Sequence, residues 1–322
     1  MRTSCSDRSA LSCCVAVALL AGCGVPPLSL SKPQTSALTT RADLGRSWML
    51  PEAKREPLLY ASNLRAVDVF SYPAGRRVGK LSIGYDIGGL CSDPKGDVFV
   101  DAGSISSGEM ILEYTHGGTD PIATVQSKFG FPLECAFDPT TGNLAVIGNF
   151  DSGPENIAVY ENVTGTAEDY EDYGPFYNFS DCVYDGSGNL FVSGDTGTLG
   201  ELPKGAGAFV NYKLSLKTDE SVLTELQWDG KYVTAQELPP DKHHALLDRI
   251  TIAHKEAKVV SRTELAGNQI KFKWLYSGVA LGFEGQNHHK IGFWPYPAGG
   301  GTTHVLNGYQ KRFGAATISV AP

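Results

Sequence analysis

Hydrophobic and polar positions alternate in short segments along the chain, and turns built on Asp and Gly separate these segments. The clearest example is Asp185-Gly-Ser-Gly-Asn-Leu-Phe-Val192, in which turn residues lead directly into a strand of β-formers. Related stretches follow Asp93 and Asp138, and a shortened copy follows Asp229. These Asp anchors lie 45, 47 and 44 residues apart. A repeat of this length, with turns followed by strands, is typical of a β-propeller blade.

Each repeat predicts four strands in a fixed order. The strand after each Asp turn ends in a polar residue, a third and a shorter fourth strand follow, and the innermost strand precedes the next Asp anchor. No innermost strand precedes residue 58, but Thr317–Pro322 has the missing pattern. The chain is therefore predicted to be all-β, a six-bladed β-propeller of four-stranded blades over residues 58–322. Its C-terminal strand should pair into the first blade and close the ring, which removes two open sheet edges.

This repeat resembles the six-bladed NHL-type and gluconolactonase-like propellers and their relatives, the streptogramin lyases. The resemblance covers residues 58–322 and rests on the repeat pattern. It implies a closed propeller with a site at the mouth of the central channel, and for the lactonase- and lyase-like members a metal-dependent reaction. The metal and His positions of those enzymes have no residue-by-residue match here, and propellers share their fold more widely than their function.

The N-terminal segment predicts export and lipidation. Two arginines precede an apolar run over residues 10–20, which is too short to span a bilayer as a helix. The following Leu20-Ala-Gly-Cys23 resembles the lipobox of bacterial lipoproteins, which implies cleavage before Cys23 and lipidation of its thiol. An ordinary secretory signal is the alternative. We expect a signal peptide over residues 1–22, a flexible tether over residues 23–57, and a lipid-anchored protein in the outer membrane or at the cell surface.

Composition and charge narrow the classes of binding partner. The net charge is −8 and Lys and Arg form no cluster, so nucleic acid and anionic lipid surfaces are poor candidates. We expect membrane contact through the lipid alone, a monomer, and a small molecule or a protein as the ligand. Beyond the lipobox, three cysteines remain, Cys91, Cys135 and Cys182. All three fall in predicted inner strands, which favours buried small hydrophobes over a disulfide framework or a metal set.

The inner strands of a propeller line its channel, so residues at equivalent positions should meet there. Four positions before the turn anchor, the repeats carry Gly89, Glu134, Asp181, Glu225 and Lys273, and the C-terminal strand carries Thr317 at the corresponding place. Converging carboxylates suit Ca²⁺ or Mg²⁺, and like charges held close raise one pKa, as acid–base catalysis by Glu134 or Asp181 would require. The alternative is a hydrated acidic funnel that Lys273 partly neutralises. The polar ends of the second strands should join this ligand site; they are Asn63, Asp101, Asn149, Asp195, Glu237 and Glu284.

Two histidine pairs fall in loops on the same face, and one member of each pair, His244 and His288, is a further metal candidate. Solvated loop histidines are the alternative. The chain lacks a His-Glu-x-x-His motif, a Gly-x-Ser-x-Gly motif and a Walker loop. The sequence therefore favours a tethered binding module with no certain cofactor. The alternatives are a metal-dependent, lactonase- or lyase-like enzyme at the acidic channel mouth, and a structural role in an assembly.

Overall fold

Six antiparallel sheets form the blades of a propeller; five have four strands, and the sheet of blade 1 has a fifth strand at its outer edge. The computed structural model describes residues 45–104, 108–127, 131–149, 155–170, 179–194, 196–218, 221–238, 245–285, 289–307 and 313–321. These residues belong to a single unit, Ala42–Pro322. The predicted all-β, six-bladed architecture is confirmed.

In each blade an innermost strand lies at the channel, and the second, third and fourth strands follow toward the outside. The innermost strands are β25 (Phe313–Ser319), β5 (Asp86–Ser92), β9 (Phe131–Phe137), β13 (Phe179–Tyr184), β17 (Val222–Trp228) and β21 (Lys271–Tyr276), for blades 1 to 6 in turn. The second strands are β2 (Leu58–Asn63), β6 (Val98–Ser104), β10 (Leu144–Asn149), β14 (Leu190–Gly194), β18 (Val233–Leu238) and β22 (Val279–Glu284). The third strands are β3 (Ala66–Ser71), β7 (Gly108–Tyr114), β11 (Glu155–Tyr160), β15 (Thr198–Leu202), β19 (Ala245–Ala253) and β23 (Lys290–Pro295). The fourth strands are β4 (Arg77–Ser82), β8 (Ala123–Gln126), β12 (Ala167–Tyr170), β16 (Val210–Lys213), β20 (Glu256–Leu265) and β24 (His304–Leu306).

The C-terminal strand closes the ring, as predicted. β25 pairs antiparallel with β2, with Ser319 opposite Leu58, so the first blade combines both ends of the folded chain. β25 also contacts β5 on one side and β21 on the other. It begins at Phe313, earlier than the Thr317 expected from the sequence. This pairing satisfies backbone groups that two open sheet edges would otherwise expose.

The Asp anchors build the turns between the first and second strands, as predicted. Asp185 Oδ1 accepts hydrogen bonds from the backbone N–H groups of Ser187 at 2.8 Å and Asn189 at 2.9 Å. Gly188 adopts φ 87°, a conformation that strongly favours glycine. The same bonding to turn N–H groups recurs at Asp93, Asp138 and Asp229.

Apolar side chains pack between neighbouring blades. The described residues form six such clusters, one for each junction between blades. Trp294 and Phe272 are fully buried between blades 5 and 6, and Phe283 and Phe70 between blades 6 and 1. Burial of one such side chain contributes roughly 1.5–3 kcal/mol. The stability of the ring is therefore distributed over all six junctions.

The folded part begins before residue 58, the boundary expected from the sequence. β1 (Trp48–Met49) adds a fifth strand to the outer edge of blade 1, with Trp48 opposite Lys80 of β4. A 3₁₀ helix, Pro51–Arg55, follows and buries Ala53 completely. Segments this short carry no recognisable period, so composition alone assigned them to the tether.

The predicted signal peptide, the lipidation site Cys23 and residues 24–44 of the tether lie outside the described residues. Within the described ranges, no helix has the length and apolar character needed to cross a membrane.

Two of the three remaining cysteines form a disulfide. Cys91 of β5 is bonded to Cys135 of β9, with Cα atoms 5.7 Å apart, and the bond joins the inner strands of blades 2 and 3. Cys182 is a buried free thiol. The interpretation of all three cysteines as small hydrophobes is therefore wrong for Cys91 and Cys135. The repeat could not reveal the bond, because the two cysteines stand at different distances from their Asp anchors.

Candidate functional site

All six inner strands break register at a similar height in the channel. The break falls at Glu225 in β17 and at Lys273 in β21. Equivalent irregularities occur in the other inner strands, β5, β9, β13 and β25. A β-bulge of this kind redirects a side chain out of the regular alternation. Glu225 accordingly adopts φ 44°, which is uncommon for a residue other than glycine.

The predicted channel residues form one buried ion network. Lys273 Nζ donates a short hydrogen bond to Glu134 Oε1 and lies 2.6 Å from Glu225 Oε2. Lys271 Nζ lies 3.1 Å from the other oxygen of Glu225. The side chains of Lys273, Glu134 and Glu225 are 3%, 12% and 6% exposed. Sequence reasoning missed Lys271, although it lies two residues before Lys273 on the same strand.

The contact between Lys273 and Glu134 spans the channel. Lys273 belongs to blade 6 and Glu134 to blade 3, and these two blades face each other in a ring of six. The ion pair therefore bridges opposite walls of the channel at this height. The hydrated funnel considered from the sequence had Lys273 offset part of the acidic charge. In the structure, Lys273 contacts Glu134 and Glu225 directly.

Asp181 joins the network through backbone groups. Its Oδ2 accepts a hydrogen bond from the N–H of Leu226 in blade 5 at 2.8 Å, and its Oδ1 accepts one from the N–H of Cys182 at 2.7 Å. Asp181 is therefore tied to two adjacent inner strands, β13 and β17.

The charges in the network shift its pKa values in opposite directions. Burial raises the pKa of Glu134, and Lys273 offsets only part of this effect. Burial raises the pKa of Asp181 well above its usual range, and the carboxylates of Glu134 and Glu225 raise it further. Burial would also raise the pKa of Glu225, but Lys271 and Lys273 outweigh it and lower that pKa. Burial would lower the pKa of Lys273, but the carboxylates around it raise that pKa. Lys273 therefore stays charged, and Asp181 is the carboxyl group that most readily keeps a proton.

A divalent cation does not fit this ring. The Lys273 ammonium lies between Glu134 and Glu225, where a shared cation would have to lie. Within the described part of the chain, no group of three or more His, Cys, Asp or Glu side chains is arranged to hold a metal ion. The other metal candidates, His244 and His288, lie outside the described residues.

On blades 1 and 2, the positions equivalent to Glu134 carry small, uncharged residues. A Cβ on Gly89 would lie 2.7 Å from the Cα of Glu134, so only glycine fits this contact between blades. The pairing of β25 with β2 places Ala316 at the ring position of blade 1, although counting along the sequence had placed Thr317 there. The Thr317 hydroxyl instead lies 3.0 Å from Ser92 Oγ of blade 2.

Two of the polar strand ends that the structure describes, Asn63 and Glu237, have partners outside the ion network. Glu237 belongs to a separate cluster in blade 5, where its Oε2 lies 3.1 Å from Arg262 Nη2 and its Oε1 accepts a hydrogen bond from Lys217 N at 2.5 Å. Arg262 also donates to Asp248 at 2.9 Å. Burial raises the pKa of Asp248 to about 7, with Glu237 adding to the effect and Arg262 opposing it.

Asp101, the predicted strand end of blade 2, lies inside the second strand. It is fully buried, and it lies close enough to Cys182 to add to the increase in thiol pKa that burial and the channel carboxylates cause. Glu284 is half-buried and stands opposite Lys290 in the register of blade 6. Asp195 and the side chain of Asn149 lie outside the described residues.

Comparison with known proteins supports the architecture. No protein-family model matches the chain, and no curated protein sequence matches it. A chain from the crystal structure of a nidogen/laminin complex superposes with a TM-score of 0.64 at 16% identity, covering 82% of this chain and 99% of that chain. The β-propeller domain of Cps50 (Swd1) from Myceliophteria thermophila superposes with a TM-score of 0.54 at 12% identity, covering 82% of this chain and 86% of that chain. At these identities, the likeness shows the propeller fold alone.

Proposed function

We propose that this protein is an interaction propeller of the bacterial envelope that binds a protein partner and is held at the membrane by a lipid on Cys23. The bridged channel carries this proposal. Lys273 pairs with Glu134 and Glu225, and both oxygens of Asp181 accept backbone hydrogen bonds. The acidic residues that a channel-mouth enzyme would use are thus engaged with Lys273 and with backbone N–H groups. Binding then falls to the outer surfaces and loops, where functional residues concentrate on rigid scaffolds.

Two further observations support the proposal. One similar chain was solved in a complex of nidogen and laminin, so the fold occurs in a protein assembly. The disulfide between Cys91 and Cys135 suits an oxidising compartment outside the cytosol, as export through the predicted signal peptide would provide.

Membrane anchoring and partner binding are tested separately. Cys23→Ser should release the protein from the membrane fraction if the lipid is its anchor, and continued membrane association would contradict the anchor. For the partner, the full chain is cross-linked in intact cells, and each captured protein is purified and titrated against it by calorimetry. We expect saturable binding that Asp181→Asn leaves unchanged. A chain that binds none of the captured proteins, or that hydrolyses a lactone only while Asp181 is intact, would overturn the proposed function.

A further inference from the structure

The outer hairpin of blade 5 is longer than the outer strands beside it. Its strands β19 and β20 have 9 and 10 residues, whereas the outermost strands of blades 4 and 6, β16 and β24, have 4 and 3. A groove of about 500 Å³ lies between β16 and the end of this hairpin. It is lined by residues 211–213 and 215 on the side of blade 4 and by residues 255–259 of the hairpin.

The floor of the groove is apolar and well held. Ala257 and Val259 are half-buried and pack against the apolar cluster between blades 4 and 5. Tyr212 is 8% exposed, and its hydroxyl donates a hydrogen bond to Glu201 at 2.7 Å. The floor therefore presents pre-positioned apolar surface, which lowers the entropic cost of binding.

The rim of the groove is positively charged. Lys213, Lys255 and Lys258 are all exposed. Among the lining residues, the single carboxylate is Glu256, which pairs with Lys258 at 2.7 Å. Three ammonium groups against one carboxylate stand out in a chain of net charge −8. This local excess of positive charge is complementary to an acidic ligand.

The groove also borders open strand edges. Among the described strands, β20 pairs only with β19, and β16 only with β15, apart from a single bridge between Leu265 and Gly300 at the far end of β20. The molecule already shows what such an edge can accept, because β1 adds antiparallel to the outermost strand of blade 1. Extended peptides bind sheet edges in the same way, with backbone hydrogen bonds for affinity and alternate side chains for specificity.

We propose that this groove binds an extended acidic segment of a partner protein, which adds as a strand to the outer edge of blade 5. Alternate carboxylates of the segment would meet the lysine rim, and the apolar side chains between them would pack on Ala257 and Val259. The inference rests on the proposed function, and it names the chemistry of the partner segment and the surface that binds it.

The test uses a fluorescent peptide of alternating Glu and Val, as long as β20, titrated into the full chain and followed by anisotropy. We expect saturable binding that weakens as salt is added. A peptide with Lys in place of Glu should not bind, because its charge is reversed. A peptide with N-methyl groups on alternate backbone nitrogens should not bind either, because it cannot complete the strand pairing.

Charge reversal then tests the groove. The triple variant Lys213→Glu, Lys255→Glu, Lys258→Glu should weaken peptide binding by at least about tenfold. The matched control reverses the same number of exposed lysines elsewhere, at Lys54, Lys95 and Lys290. This control should bind like the wild type, and thermal melts should show both variants folded.

Three outcomes would overturn the groove. The first is absence of peptide binding to the wild type, and the second is equal weakening of peptide binding in both triple variants. The third is self-association of the wild type that only the groove triple variant abolishes, because a second copy would then be the occupant. The proposed function fails separately. If the groove triple binds the captured partner as tightly as the wild type does, the groove is wrong and partner binding stands. If the wild type binds none of the captured proteins, the proposed function fails.

Discussion

Replacing Lys273 with Met tests the bridge across the channel. The change removes the ammonium between Glu134 and Glu225 while keeping a long apolar side chain. All three side chains are nearly buried, at 3%, 12% and 6% exposed. The variant must therefore bury Glu134 without its ammonium partner and leave Glu225 with Lys271 alone, which costs about 3–5 kcal/mol. This is a large share of the roughly 5–15 kcal/mol that stabilises a folded protein.

Lys271→Met is the matched control. Lys271 lies on the same strand and pairs with the same Glu225 at 3.1 Å, but its side chain is 41% exposed. An ion pair that reaches solvent is worth about 1 kcal/mol or less. The two variants therefore make the same chemical change to the same partner at different depths.

The assay is urea unfolding followed by tryptophan fluorescence near pH 7.5 and near pH 5. Without Lys273, the folded-state pKa of Glu134, which burial already raises, should rise further, and only Lys271 is left to oppose the effect of burial on Glu225. The folded state then binds more protons, so the deficit is complete above the folded pKa values and shrinks as the pH falls through them. A deficit no larger than that of Lys271→Met, or one equal at both pH values, would refute the bridge.

Three further predictions concern the contacts that hold the propeller closed: the disulfide, the contact of His116 with Ser319, and the C-terminal strand. Replacing Cys91 and Cys135 with Ser removes a cross-link between residues 44 apart in sequence. The free energy of unfolding in urea titrations should fall by about 4 kcal/mol. An unchanged midpoint would contradict the disulfide. His116 Nδ1 lies 2.6 Å from Ser319 Oγ, and burial lowers the pKa of His116. His116 should therefore lower stability as the pH drops below about 6.5, and His116→Gln should remove that loss relative to the wild type in thermal melts, whereas an identical pH dependence would exclude this contribution of His116. Deleting residues 313–322 removes β25, and circular dichroism should show a much earlier melt or no cooperative transition; a melt like that of the full chain would refute closure by this strand.

The sequence predicted the scaffold well because every blade repeats the same local chemistry. An Asp such as Asp185 bonds the turn that follows it, and the side chain four residues earlier lies at a constant height in the channel. Counting back from the anchors therefore predicted that Glu134, Asp181, Glu225 and Lys273 would meet. No long-range information was needed for this set, because the repeat itself supplies the alignment.

Features that depend on contacts between blades could not be read in this way. Cys91 stands two residues before its anchor and Cys135 three residues before its own, so counting within the repeat gives the two cysteines different heights. Their bond depends on how the inner strands of blades 2 and 3 pack against each other. The last inner strand lacks an Asp anchor, so the count fell on Thr317 and missed Ala316. Trp48–Met49 is too short for a periodic pattern, and its strand exists because the outer edge of blade 1 offers it partners.

The same distinction indicates where specific function should be sought. The inner strands share a bulge at one height, and a length change there would disturb the closure of the ring and the ion bridge. The outermost strands carry no such constraint, since β24 has 3 residues and β20 has 10 in one closed propeller. A repeat protein can therefore diversify at its outer edges without loss of fold. The hairpin that departs furthest from the blade pattern also carries two of the three rim lysines, Lys255 and Lys258. The repeat alone would not produce this coincidence of length and charge.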